Sequence, residues 1–138
     1  MNFNLSEEQN MLKDSVARFV RDEYDFDSRN ANAASVLGFN PKNWQMFADL
    51  GWLSIPFDEA HGGFGGGATE VMAVMEEMGK GLVVEPFVAT VLMFGGLLSK
   101  SGNAVLQNAN IEKIIDGSLQ GAFAYLERQS RFELADVK

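Results

Sequence analysis

The run Gly63-Phe64-Gly65-Gly66-Gly67-Ala68 has the G-x-G-x-x-A spacing that lets a backbone approach a dinucleotide pyrophosphate at the start of a helix. That chemistry needs a buried strand before the turn and an acidic residue after the next strand, and neither is evident in the flanking residues. Composition favours a tight turn in which glycine supplies positive φ. No Gly-Lys-Ser/Thr follows a glycine loop, which excludes a P-loop. His61, the single histidine, has no Ser, Cys or ligand cluster beside it and reads as a turn or structural hydrogen-bonding residue. Asp58-Glu59 and Glu76-Glu77 are the adjacent carboxylates that acid–base chemistry could draw on. Neighbours on a helix point in different directions, so Glu76 and Glu77 cannot both face one substrate and read as solvated helix surface. With no cysteine in 138 residues, a thiolate nucleophile, a disulfide and a thiolate metal site are excluded. No catalytic residue and no metal ligand is nominated.

The elements that would position any site belong to one globular domain. A chain of 138 residues with 46% hydrophobic and 22% charged residues buries a real core. The net charge of -8 argues against nucleic acid, which is bound by clustered Lys and Arg. The first residues carry neither the basic region nor the apolar run of a signal peptide, and the absence of cysteine is compatible with a cytoplasmic location. The most apolar segment, 86–98, is shorter than the roughly 20 residues a membrane span requires.

Ser6-Glu7-Glu8-Gln9 fits a capping box, and Leu12, Val16, Phe19 and Val20 then share one helical face, predicting a helix from about Glu7 to Tyr24. Residues 22–35 read as a frayed end and a loop. Pro41 opens a second helix with Trp44, Phe47, Ala48 and Leu50 as its stripe, stopped by Gly51. Val71, Val74, Met75 and Met78 mark a third helix near 69–80. A fourth begins at Pro86 and is apolar nearly all round, so it is core first and the wall of an apolar pocket second. Gly102 and Asn103 supply a stop and an N-cap before a last helix with Ile111, Ile114 and Ile115, ending at Gly117. From Gly121 small and aromatic residues alternate, predicting a strand with Phe123 and Tyr125 on one side. The run passes through Arg128-Gln129-Ser130-Arg131 and resumes at Phe132 and Leu134. A lone strand would leave an exposed edge, so the chain reads as a piece of a longer protein.

The pattern of Leu50-Gly51-Trp52, an acidic turn into His61-Gly62-Gly63, Gly65, and a helix ending Glu76-Glu77-Met78-Gly79 resembles the N-terminal helical domain of acyl-CoA dehydrogenases. The resemblance implies an all-α orthogonal bundle of about five helices over residues 1–119, with 120–138 opening a truncated middle β-barrel domain. In that family the glycine turn lies near the acyl-CoA entrance. Ala89, Thr90 and Met93 fall where members of the family line the blind end of the acyl tunnel, which makes them candidate substrate-binding residues. Asp116-Gly117-Ser118 followed by residues 122–127 resembles the family's turn into the strand that touches the flavin, which makes Phe123, Tyr125 and Leu126 candidate cofactor-binding residues. Leu126 stands where the family has a threonine hydroxyl, and residues 128–133 replace the usual Pro-Gly-Ala-Gly-Ser-Asp. The ending Glu127-Arg128-Gln129-Ser130-Arg131 looks more like a bacterial branch that includes small subunits of pimeloyl-CoA-type dehydrogenases.

For the parent protein the resemblance implies α,β-dehydrogenation of an acyl-CoA thioester with FAD as cofactor. It also implies electron-transferring flavoprotein as electron acceptor and a homo- or hetero-oligomer. The family's catalytic base comes from a C-terminal domain that these residues do not include. The rival reading is a non-catalytic structural or partner-binding subunit of the same descent, favoured by Leu126 and the lost Gly-Ala-Gly-Ser turn after Glu127, while the apolar helix and the glycine turn at 63–67 favour a working substrate pocket.

Overall fold

The computed structural model describes residues 4–130, 133, 135 and 136. Helix α1 (Glu7–Glu23) starts at the expected capping box: the Gln9 amide donates to Ser6 Oγ at 3.2 Å and the Ser6 amide donates to Gln9 Oε1 at 2.8 Å. Gln9 Nε2 also donates to Glu70 Oε1 at 2.7 Å, and Glu70 Oε2 accepts from the Gly67 amide at the start of α4 (Ala68–Lys80). The first turns of α1 and α4 are therefore capped by one linked network. Further along, Lys13 Nζ lies 2.7 Å from Glu76 and 3.6 Å from Glu77, and Val20 packs against Gly81. The three ties in the same order make α1 and α4 a parallel pair.

Helix α3 (Pro41–Asp49) begins with its proline after an Asn40 cap and ends before Gly51, which takes φ 77° as the stop requires. Its Phe47 meets Phe19 of α1 edge-on at 5.1 Å and Trp52 at 4.9 Å, so three aromatic rings form the centre of the core. Trp52 and Leu53 sit in a 3-10 turn (Trp52–Ser54), and Ile55 and Phe57 follow, all buried. A second 3-10 turn (Glu59–His61) leads to the glycine cluster. Phe87–Gly95 forms a π-helical run that continues into α5 (Gly96–Lys100), and α6 (Ala104–Ile115) follows an Asn103 cap that accepts from the Val105 and Leu106 amides. Trp44 Nε1 donates to the Gly117 carbonyl at 3.1 Å and closes α3 onto the end of α6.

Several expectations change. Residues 22–35 are not a loop: Asp25 accepts from the Ser28 amide at 2.7 Å and caps a short helix α2 (Phe26–Ala34). That helix buries no side chain, so it carries no apolar period for a pattern search to detect. Leu50 is half exposed instead of completing the α3 stripe, because it is the C-cap and the helix turns away there. Glu77 is buried, not solvated; Lys80 Nζ reaches it at 2.7 Å and Lys13 approaches from α1, so the two lysines neutralise it. Among the described residues no strand forms: residues 119–126 run without a ladder partner, since a strand exists only through pairing. The resumption of that strand at Arg131, Phe132 and Leu134 lies outside the described residues.

Candidate functional site

The segment that leads into the apolar helix is built around a buried carboxylate. Leu82 takes φ 51°, a left-handed conformation unfavourable for leucine, and turns the chain out of α4. Three residues later Glu85, 5% exposed, accepts from Tyr24 Oη at 2.8 Å, Asn43 Nδ2 at 3.0 Å and the Asn40 amide at 3.4 Å. Tyr24 Oη in turn accepts from the Val84 amide at 3.0 Å. Donors from the end of α1 and the start of α3 thus converge on one acid, which satisfies its charge without a cation. Burial foremost, and the neighbouring carboxylate, push the Tyr24 phenol up to about 12, while the Val84 N–H pulls the other way.

Pro86 then starts the π-helical run, and two clefts open beside it. One, about 510 Å³, is walled by Met75, Met78, Leu82, Phe87, Val88 and Ala89, with Arg29 at its margin. The other, about 430 Å³, lies between Leu37, Phe39, Pro86, Ala89 and the 120–122 backbone. Ala89 and Pro86 border both. A π-helix relates i to i+5, which brings Val88 and Met93 onto one face where an α-helix would set them apart. Val88, Met93 and Leu97 are 44%, 37% and 48% exposed and form an apolar stripe. The helix that reads as apolar all round is therefore core on one side, through Phe87, Val91 and Leu98, and open on the other.

Of the three residues expected at an acyl wall, Ala89 borders both clefts and Met93 stands on the open stripe. Thr90 is fully buried beneath the second cleft. Its Oγ1 donates to the Gly121 carbonyl at 3.1 Å and accepts from the Gly121 amide at 3.3 Å. Of the three expected at a cofactor, Phe123 and Tyr125 stack at 5.7 Å with their planes tilted by 33°, on one side of the chain as alternation requires. Both rings and Leu126 are exposed. The structure thus joins the two groups through one contact, Thr90 to Gly121, two residues before Phe123.

The amides of the glycine cluster are committed within the fold. Those of Gly62, Gly63, Phe64, Gly65 and Gly66 donate to the carbonyls of Glu59, Asp58, Ser54, Phe57 and Ile55, and Gly67 donates to Glu70. No amide from Gly62 to Gly67 is left to face a phosphate, and Glu70 puts a carboxylate at the start of the helix that follows. A Cβ on Gly63 would lie 2.0 Å from the Phe57 carbonyl oxygen, so two backbones touch there, while Gly62 and Gly65 take the positive φ, 77° and 71°, expected of glycine in a tight turn. His61 shares one hydrogen bond with Asn108 Oδ1 at 3.2 Å, and its Nδ1 is buried without a partner. No carboxylate orients it as a base. Among the described residues no cluster of ligating side chains could hold a metal ion, and no helix is long and apolar enough to cross a membrane. Sequence reading missed Glu85; the signal was a lone acid inside the apolar run 83–88, where an unpaired charge would be costly.

Comparison with known proteins places these features. Residues 6–118 match the model of the acyl-CoA dehydrogenase N-terminal domain. The chain is 30% identical over 122 residues to the acyl-CoA dehydrogenase IpdE2 of Mycolicibacterium smegmatis, covering 88% of this chain and 38% of that protein. The structure is similar to that of the ChsE4-ChsE5 complex from Mycobacterium tuberculosis, with a TM-score of 0.79 at 25% identity over 87% of this chain and 33% of that one. It is also similar to PigA. The apo form gives a TM-score of 0.82 at 25% identity, over 99% of this chain and 37% of PigA. The FAD complex gives 0.72 at 26%, over 87% and 32%. The chain spans about a third of the length of these relatives, from 32% to 38%.

Proposed function

This chain belongs to the acyl-CoA dehydrogenase family as its N-terminal helical domain, and from that premise we propose that it supplies the acyl-pocket wall of a flavin-dependent dehydrogenase acting on acyl-CoA thioesters. The observation that carries this reading is the π-helical run. Its buried side anchors in the core, while Ala89 between two apolar clefts and the open stripe of Val88, Met93 and Leu97 offer an apolar lining. Small Ala89 leaves depth and flexible Met93 adapts to chain shape. Phe123 and Tyr125 offer a paired aromatic face that fits the edge of a flavin ring, and the exposed Leu126 adds apolar surface but no hydroxyl. FAD, when bound, supplies the hydride acceptor for α,β-dehydrogenation, and electron-transferring flavoprotein is the proposed oxidant. The residues of this chain bind and orient the acyl chain and keep water from it. None of them is nominated as the base that takes the α-proton. A cytoplasmic, oligomeric enzyme completes the proposal.

The test is spectroscopic. Full-length protein is expected to carry flavin absorbance bands that bleach on anaerobic addition of an acyl-CoA. A full-length protein that takes up no FAD would instead support the non-catalytic subunit that Leu126 favours.

A further inference from the structure

Thr90 and Gly121 form a contact that neither the acyl wall nor the flavin face accounts for. A buried threonine ordinarily returns its hydroxyl to its own helix. Here Oγ1 instead both gives and takes a hydrogen bond with the Gly121 peptide, 3.1 Å to its carbonyl and 3.3 Å from its amide, across 31 residues of sequence. The position on the other side is equally constrained. A Cβ on Gly121 would lie 2.2 Å from Cδ1 of the Phe94 ring, so the strand-like segment can approach the helix only at a glycine. Thr90 and Phe94 are four apart on the π-helical run, so a hydroxyl and a ring from one element hold a single residue, Gly121, between them. Among the described residues the chain from 119 to 126 pairs with no strand, so this clamp is a principal tie between that segment and the bundle.

We propose that Thr90 is a positioning residue whose hydroxyl locks the Gly121 peptide to the acyl-cleft helix and thereby sets where the Phe123–Tyr125 face stands relative to the flavin. The proposal rests on the dehydrogenase reading. It assigns Thr90 a task different from contacting substrate: its side chain is fully buried with its hydroxyl engaged, while Ala89 and Met93 are left to line the chain. The physical reason is rigidity. Phe123 lies two residues from the clamp, so freedom at Gly121 passes directly into the angle at which the aromatic pair is presented, and a ring-binding surface must be held in place before the ligand arrives.

The test uses full-length protein and compares Thr90→Val, which keeps the shape without the hydroxyl, with Thr90→Ser, which keeps the hydroxyl. Thermal melts establish that each variant folds. Hydrogen exchange then reads the Gly121 amide, with FAD affinity and acyl-CoA affinity measured beside it. Loss of one buried hydrogen-bond pair predicts about tenfold faster exchange at Gly121 in Thr90→Val and FAD affinity weakened by a similar factor, with acyl-CoA affinity unchanged and both effects restored in Thr90→Ser. Wild-type protection of Gly121 in Thr90→Val would overturn the proposal. So would unchanged FAD affinity together with an altered acyl chain-length preference, which would return Thr90 to the acyl wall. Failure of the dehydrogenase reading itself shows differently, as wild-type protein that takes up no FAD, and that result removes the flavin role of the clamp as well.

Discussion

At the scale of single residues, the buried pair Tyr24 and Glu85 governs the site's geometry. Glu85 is held by three donors and no cation, and Tyr24 both donates to it and accepts from the Val84 amide. Tyr24→Phe removes both bonds and leaves a buried carboxylate short of a donor, which is expected to cost about 2 kcal/mol of stability in denaturant unfolding. The raised Tyr24 pKa gives a second, independent expectation. The folded state keeps the phenol protonated up to about 12, whereas an unfolded tyrosine ionises near 10.0. Between those values the native state binds more protons than the unfolded one, so stability present in full below pH 10 falls as the pH rises toward 12. Unfolding midpoints measured across that window should fall in the wild type and fall less in Tyr24→Phe. Residue by residue, the sequence showed which side chains are apolar and where caps sit: Ser6, Asn103 and Gly51 all act as their types predict. It did not show Glu85, because its partners are 42 to 61 residues away and only folding brings them together.

At the scale of elements, the helices with an apolar period were legible and the one without it was not. The stripes through Val16 and Phe19, Trp44 and Phe47, and Val74 and Met78 all lie in the core, since burial of a continuous face is what makes a helix stable. Helix α2 has a cap and no buried face, so it escaped a reading based on period. The glycine turn was legible in part. Its composition suggested freedom of φ, which Gly62 and Gly65 use, whereas the constraint at Gly63 is space: a Cβ there meets the Phe57 carbonyl carbon at 2.3 Å as well as its oxygen. Backbone cannot yield as a side-chain tip does. Gly63→Ala is therefore expected to destabilise the domain by about 3 kcal/mol, while Gly79→Ala, where no atom lies within 4 Å, is expected to be neutral or stabilising by about 0.5 kcal/mol. Thermal melts of the two variants side by side separate the two causes. Equal losses would mean that the close approach of the turn to Phe57 is not a constraint in solution.

At the scale of the molecule, the helical bundle presents an apolar stripe on its π-helical run and, through the Thr90–Gly121 contact, holds the segment that carries the exposed Phe123–Tyr125 pair. The family and its helical fold were legible in motifs that include two turns, at Gly51 and at Gly62, where glycine takes positive φ. The open side of the apolar helix was not legible, since a π-helical register cannot be told from an α-helical one by composition. In the proposed enzyme Ala89 sets the depth open to the acyl chain, which anaerobic reduction of the full-length flavoprotein by acyl-CoA thioesters of graded length would measure. Ala89→Leu fills the space shared by the two clefts, so the longest thioester the wild type uses well is expected to lose at least about tenfold in the rate of flavin reduction while short ones keep theirs. An identical length profile in wild type and Ala89→Leu, with flavin reduced in both, would contradict it.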